Sequence, residues 1–189
     1  MADLKNKIEK GLKSIGSNFM VLLDTHSENY FEAVMESARF MLEDNKKGVY
    51  VTVSHPCKFI LNEMRERDIN TGNLLFVDCI TSVSGFHIAG GFEDNNCLFA
   101  KSPSELDQIS RQINSLLEKI KYDEKFLIID CISTLLIYNS ASSVREFTMS
   151  LADKLRFEGA DGIIVTIKKE IPDDLKENLV SICDGSVSV

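Results

Sequence analysis

The feature that most constrains this chain is an almost entirely apolar run at residues 125–138, KFLIIDCISTLLIY, interrupted by one aspartate, Asp130. Such a run is typical of a parallel strand buried on both faces, and it delivers the aspartate to the carboxyl edge of a sheet. In open α/β sheets, ligands bind at that edge. The run therefore predicts a fold class and also the place to look for a site.

The same pattern occurs twice upstream, as FMVLLDTHS at residues 19–27 and as LLFVDCITS at residues 74–82. Three strands are therefore expected to place Asp24, Asp78 and Asp130 near one rim. Hard cations such as Mg²⁺ and Mn²⁺ prefer oxygen ligands, so the three carboxylates are a candidate metal site. The alternative is structural, because aspartates at strand ends often cap helix N-termini or bind loop amides.

Histidines add a second chemical possibility at this rim. His26 and His55 each follow the end of a predicted strand, and with Asp24 they could form a proton-transfer pair or a transition-metal site. A solvated loop position is the structural alternative for both, and His87, in a long loop, is a weaker candidate. A metal-dependent or acid-base enzyme that uses His26 with the three aspartates is thus one functional hypothesis.

Hydrophobic periodicity predicts strands alternating with amphipathic helices. This alternation implies one α/β domain, a doubly wound and mostly parallel sheet with helices on both faces. Residues 1–15 are expected to form an amphipathic helix or partner-binding arm, and residues 16–189 the domain. The predicted strands are 19–23, 49–54, 74–78, 126–130, 162–167 and 185–189, and the predicted helices are 27–44, 56–67, 102–121, 143–157 and a short acidic helix after Pro172.

Between residues 80 and 101 the sequence is irregular and rich in Gly, Asn and Ser, with a small hairpin predicted around 97–100. Cys97 is expected to be exposed in this polar stretch and is the thiol to test for reactivity. The five cysteines form no CxxC pair, which indicates reduced thiols rather than a disulfide framework.

Charge and hydropathy exclude two classes of protein. The net charge of −8 argues against a general nucleic-acid binder, because phosphate backbones require a basic face. No apolar stretch approaches the roughly 18 residues that a bilayer span needs, and the first residues lack the apolar core of a signal peptide. We therefore expect a cytoplasmic protein without membrane insertion.

Three phrases in order, GVYVTVSHP, KFLIIDCISTLLIYN and LADKLRFEGADGIIV, resemble the KaiC-like branch of the RecA superfamily, especially its archaeal members. The resemblance covers nearly the whole chain after Ser14 and implies a RecA-like, P-loop NTPase sheet. Asp130 matches the family's Walker B aspartate, and Ser133 matches the polar residue that often follows it. The resemblance also implies a homo-oligomer or a protein partner, with Lys168 and Lys169 as candidate contacts to a neighbour's nucleotide.

The chain departs from the family pattern where the phosphate loop should follow the first strand, because residues 24–29 read DTHSEN. A phosphate loop needs glycines, whose N–H groups turn inward, and a lysine that reaches the β and γ phosphates. Here no glycine occurs from 17 to 47 and no lysine from 14 to 45. The family's paired acids after the second strand are replaced by Ser54 and His55.

Resemblance and departures together lead to two hypotheses beside the enzyme. The first is a catalytically degenerate module that acts in signalling or assembly through protein-protein contacts. The second is a nucleotide binder without efficient hydrolysis. The cofactor stays open between none and weakly bound ATP, ADP or Mg²⁺, and the candidate cofactor-binding residues are Asp24, Thr25, His26, Ser27, Asp130 and Ser133.

Overall fold

The computed structural model describes residues 2–43, 46–84, 96–121 and 124–189. Its strands are β1 (Met20–Thr25), β2 (Lys47–Thr52), β3 (Leu74–Asp78), β4 (Cys97–Phe99), β5 (Lys125–Asp130), β6 (Asp161–Ile167) and β7 (Gly185–Ser188). They form one seven-stranded sheet in the order β4-β3-β2-β5-β6-β1-β7, and the neighbouring strands pair in parallel. The predicted α/β class with a parallel sheet is confirmed.

Helices cover both faces of the sheet, as the doubly wound arrangement requires. They are α1 (Ala2–Ile15), α2 (Tyr30–Met41), α3 (Cys57–Glu66), α4 (Leu106–Lys119), α5 (Ile132–Tyr138), α6 (Ala141–Glu158) and α7 (Asp173–Ile182). Helices α1, α2 and α3 contribute to one core, and helices α4 to α7 contribute to the other. Among the described residues, no helix is long and apolar enough to cross a membrane.

Strand β5 shows why its sequence is apolar at almost every position. Phe126 and Ile128 belong to the core under α1, α2 and α3, whereas Leu127 and Ile129 belong to the core under α4 to α7. Successive side chains of a strand point to opposite faces, and here both faces are covered by helices. The parity also fixes Asp130 on the α1–α3 face, the face of Phe126 and Ile128.

The N-terminal helix α1 packs against α2 and β7. Ile8 and Leu12, four residues apart on one face of the helix, are 0% and 1% exposed. The predicted amphipathic helix is therefore present, and its apolar face is already covered by the rest of the chain.

The predicted hairpin around 97–100 is wrong. Residues Cys97–Phe99 form β4, a parallel neighbour of β3 in which Cys97 pairs with Phe76. Because the strand returns to the same direction as β3, it extends the sheet edge instead of folding back. Cys97 is correspondingly only 9% exposed, since its side chain belongs to the α1–α3 core, and the expectation of an exposed thiol is also wrong.

The crossover after β5 contains a helix that the sequence did not indicate. Residues Ile132–Tyr138 form α5, and α6 then begins at Ala141, with Ser140 Oγ accepting a hydrogen bond from Ser143 N at 3.2 Å. The helix was not predicted because ISTLLIY contains β-branched and aromatic residues, which are typical of strands.

Candidate functional site

The carboxyl edge of the sheet carries the three aspartates on alternate strands. Thr52 of β2 pairs with Asp78 on one side and with Asp130 on the other. Neighbouring strands lie about 4.8 Å apart, so the backbones of Asp78 and Asp130 are separated by roughly 10 Å. Strand β6 separates β5 from β1 in the same way. The aspartates thus share an edge, as predicted, but none is on a strand adjacent to another's.

Asp130 is the centre of a buried hydroxyl network. Its side chain is fully buried, and the Tyr30 hydroxyl, from the first residue of α2, donates to Oδ1. The Tyr50 hydroxyl of β2 donates to Oδ2 at 2.5 Å. The Tyr30 hydroxyl also lies 3.1 Å from Ser54 Oγ, which lies 3.1 Å from Thr134 Oγ1. Both carboxyl oxygens of Asp130 therefore have protein partners.

Burial determines the ionisation of this network. It raises the pKa of Asp130 to about 8, because removal from water penalises the charged carboxylate. Burial likewise raises the pKa of Tyr50 well above its ordinary value, and it raises the pKa of the Cys131 thiol, with the neighbouring Asp130 adding to that shift. Burial therefore favours the uncharged form of each group in this cluster, and the two tyrosine hydroxyls that donate to Asp130 act in the opposite direction on its carboxyl.

The segment after β1 does not form a phosphate cradle. Asp24 and Thr25 are the last two residues of β1 and are buried, whereas His26 and Ser27 are exposed. A 3-10 helix then leads into α2, which begins at Tyr30 rather than at the predicted Ser27. All positive φ angles in the described chain fall outside residues 19–43. An anion-binding nest requires backbone turned inward by alternating conformations, so this segment lacks one.

Asp24 lies on the opposite face of the sheet from Asp130. Side chains at every second position of a strand point to the same face, and Met20 and Leu22, at alternate positions before Asp24, belong to the α4–α7 core. Its Oδ2 lies 2.6 Å from Lys176 Nζ of α7, and its Oδ1 accepts a hydrogen bond from Thr166 Oγ1 at 3.2 Å. The carboxylate therefore ties α7 to the sheet.

Asp78 takes the structural role of a cap. It is fully buried and accepts hydrogen bonds from Cys57 N at 2.7 Å, Ile80 N at 2.9 Å, and Thr81 N and Oγ1 at 2.8 and 2.6 Å. Cys57 is the first residue of α3, so Asp78 satisfies an N–H at that helix start and also closes the turn after β3.

The structure therefore does not bring Asp24, Asp78 and Asp130 together around one point. Mg²⁺ holds its oxygen ligands at about 2.1 Å, far closer than alternate strands and opposite faces permit. In the described chain, no three His, Cys, Asp or Glu side chains form a group able to hold a metal ion.

Neither histidine is among the described side-chain partners of Asp24, which are Lys176 and Thr166. His26 is exposed, and its backbone N donates to Val189 O. The His55 ring stacks on Phe59 with 5.0 Å between centroids, burial lowers its pKa, and its Nδ1 is buried without a hydrogen-bond partner in the structure. His87 lies outside the described residues.

The remaining candidates link neighbouring strand ends. Ser133 Oγ accepts a hydrogen bond from Ile167 N at 2.9 Å, which joins the turn after β5 to the end of β6. Lys168 Nζ donates to Val189 O at 2.9 Å, and Lys169 has a positive φ of 68°. These contacts hold the rim together at β1, β6 and β7.

The sequence did not single out Tyr30 and Tyr50, the partners of Asp130. A signal was present, because a buried tyrosine hydroxyl usually needs a hydrogen-bond partner. Tyr50 is the second residue of the predicted strand VYVTVS, and a strand inside a parallel sheet is buried on both faces. A polar group there pointed to an acceptor on a neighbouring strand, and Asp130 is that acceptor.

Comparison with known proteins gives a family and a fold. The model of the KaiC ATPase family matches residues 34–189. A KaiC-like protein from the hyperthermophilic archaeon Pyrococcus horikoshii superimposes with a TM-score of 0.62 at 19% identity, covering 91% of this chain and 71% of that one. The flagellar accessory protein FlaH from Methanocaldococcus jannaschii gives 0.59 at 13% identity, covering 90% and 72%. No curated protein sequence matches. At these identities the two structures show a shared fold alone.

Proposed function

The chain belongs to the KaiC family of ATPase domains, and from that premise we propose that it is a member that does not hydrolyse ATP and acts through protein contacts in signalling or assembly. The observation that carries the proposal is the pair of tyrosine hydroxyls on Asp130. In P-loop ATPases the Walker B aspartate helps to hold Mg²⁺, which neutralises charge on the transferred phosphate. Here that carboxyl is buried, its pKa is raised to about 8 by that burial, and both of its oxygens are bonded to tyrosine hydroxyls.

Residues 24–29, where the family has its phosphate loop, support the same proposal. This segment has no lysine, no glycine and no positive φ, and exposed side chains at His26 and Ser27 replace inward N–H groups. Glu28 adds negative charge in this segment, whereas the carboxylate of Asp24 is paired with Lys176 on the other face of the sheet. The family match begins at residue 34, after this segment. A magnesium nucleotide therefore fits neither half of the inherited site, and we derive no catalytic step through one.

Exposed apolar side chains support a role in protein contacts. Ile137, at the end of α5, is 76% exposed, and Phe157, at the end of α6, is 86% exposed. The 18-residue helix α6 lies between them and is about 27 Å long, so each offers a partner a separate apolar contact. We propose that the partner is another copy of the chain or an intact relative.

We expect ATP with Mg²⁺ to produce no hydrolysis and almost no thermal stabilisation. A ligand at 100 times its dissociation constant stabilises a protein by about 2.7 kcal/mol, which for a chain of this size raises Tm by roughly 5–10 °C. Differential scanning fluorimetry with ATP, with ADP and with Mg²⁺ alone measures this shift, and phosphate release measures turnover. A catalytically intact ATPase of the same family, run in parallel, is the positive control.

Two outcomes of that experiment would redirect the proposal. Phosphate release that Asp130→Ala abolishes would contradict it outright. Equal stabilisation by ATP and ADP without turnover would favour the nucleotide-binding hypothesis instead, since it would mean that adenosine contacts survive while the γ phosphate contributes nothing.

Self-association gives a separate test of the contact surface. We expect the weight-average mass from light scattering to rise with concentration above the chain mass of 21.2 kDa. Ile137→Lys should reduce that rise, because it would bury an ammonium at the contact. Lys58→Gln, at an exposed polar position on α3, is the matched control. A mass that stays at one chain at every concentration would contradict self-association.

A further inference from the structure

A cavity of about 600 Å³ lies on the opposite edge of the sheet from the aspartates. It is formed at the amino ends of β2, β3 and β4 and is closed on one side by the end of α4. Leu75, Leu116 and Ile120 give it an apolar part. Its volume falls in the range of about 300–1,000 Å³ that is usual for small-molecule pockets.

The charged residues in the described lining of this cavity are all lysines. Lys47, Lys119 and Lys121 line it together with the amides of Asn73 and Asn96, and no carboxylate occurs among its described lining residues. The whole chain carries 29 acidic against 21 basic side chains, so a described lining that holds three lysines and no acidic residue differs from the composition of the chain. The cavity is therefore a locally positive site on an acidic protein, and such a site concentrates anions.

A second cavity of about 570 Å³ shows the opposite arrangement. Between the starts of α4 and α6, it is lined by Glu105, Asp107 and Glu146 with one basic residue, Arg111. The two cavities have similar volumes and opposite charge, so size alone does not account for the three lysines.

Helix stability explains only one of these lysines. Lys119 lies in the last turn of α4, where a cation stabilises the helix dipole. Lys47 starts β2 and Lys121 follows the helix, so they come to the cavity from other positions. Lys119 and Lys121 are exposed, and neither forms an ion pair with a residue in the described ranges. Their ammonium groups are thus available to an anion that enters the cavity.

We propose that this cavity binds a small organic phosphate, with the phosphate at the lysines and a compact apolar body against Leu75, Leu116 and Ile120. A dianionic phosphate matches several ammonium groups better than a single carboxylate does, and the Asn96 amide can donate a further hydrogen bond. The site is at the far edge of the sheet from Asp130. It is independent of whether the inherited nucleotide cleft is used.

Isothermal titration calorimetry with phenyl phosphate tests the proposal, because this probe lacks the base and ribose that a nucleotide site would recognise. We expect saturable one-to-one binding that is tighter than that of inorganic phosphate and weakens as salt rises to about 0.15 M. Lys119→Gln with Lys121→Gln should weaken phenyl phosphate roughly tenfold or more, since two charges next to the phosphate are removed. Lys10→Gln with Lys58→Gln, two exposed lysines outside the cavity, should leave it within about twofold.

The substituted lysines are exposed, so both double variants should keep the wild-type circular dichroism spectrum and melting temperature. Three results would overturn the proposal: no saturable binding of phenyl phosphate, equal weakening in the two double variants, or inorganic phosphate that binds as tightly as phenyl phosphate. The last of these would leave the apolar part of the cavity without a role.

Discussion

Asp130→Asn is expected to gain stability relative to the wild type as pH rises from about 4 to about 8, by roughly 5 kcal/mol over that interval. In the folded protein, burial raises the pKa of Asp130 to about 8, whereas the unfolded chain has the ordinary value of about 3.9. The folded state therefore holds a proton that the unfolded state loses. Stability from this group is fully present below about pH 4, falls by up to about 1.4 kcal/mol per unit, and is lost above about pH 8.

Asparagine has the shape of the protonated carboxyl and cannot ionise. The stability of the variant therefore does not fall with pH through this group. Its amide oxygen can accept from the Tyr30 hydroxyl as Oδ1 does, and its amide nitrogen takes the place of the carboxyl O–H, so the Tyr50 hydroxyl would accept there instead of donating. Urea denaturation of both proteins across this pH range gives the difference directly, because other titrating groups are common to both. Asp153→Asn, whose side chain is 83% exposed, is the control and should show a nearly flat difference.

A flat difference for Asp130→Asn would mean that the carboxyl is already ionised in the folded protein. Asp130 would then be available to a cation in the way that the family's Walker B aspartate is. That result would remove the main support for a non-hydrolysing member, whatever the thermal shift with ATP had shown.

Most strands of the sheet were predictable, because a strand that is buried on both faces is a continuous run of apolar residues. Residues 74–78 and 126–130 are apolar up to the aspartate, and the structure ends strands at those same aspartates. Strand β4 was not predicted as a parallel strand, because three residues are too few to show a hydrophobic pattern. Helix α5 was missed because its composition favours strands.

Edge position was predictable from the sequence, but side-chain direction was not. The pattern placed Asp24 and Asp130 on one rim, yet a strand alternates its faces, and a shift of one residue reverses the direction of a side chain. Strand β1 runs to Thr25, two residues beyond the predicted end, and Asp24 meets Lys176 from α7. Partners 142 and 152 positions away thus decide what Asp24 does, and partners 80 and 100 positions away decide what Asp130 does.

Asp78→Ala is expected to destabilise the protein by about 3–5 kcal/mol, the largest effect of the three rim aspartates when truncated. The change removes the acceptor of four hydrogen bonds and leaves the N–H groups of Cys57, Ile80 and Thr81 without it. Hydrogen bonds to a charged acceptor contribute more than neutral ones, and buried donors without partners cost the full desolvation penalty.

Asp24→Ala is the matched control on the same edge. Among the described residues, the Asp24 carboxylate has the Lys176 ion pair, in which the lysine side chain is 38% exposed, and one hydroxyl partner, so its loss should cost about 1 kcal/mol. Urea denaturation of the two variants with and without Mg²⁺ or Mn²⁺ separates the roles. If Asp24 and Asp78 shared a metal with Asp130, either cation would stabilise the wild type and both variants would lose that gain equally. Because Asp78 instead caps α3 and the following turn, we expect unequal losses that neither cation changes.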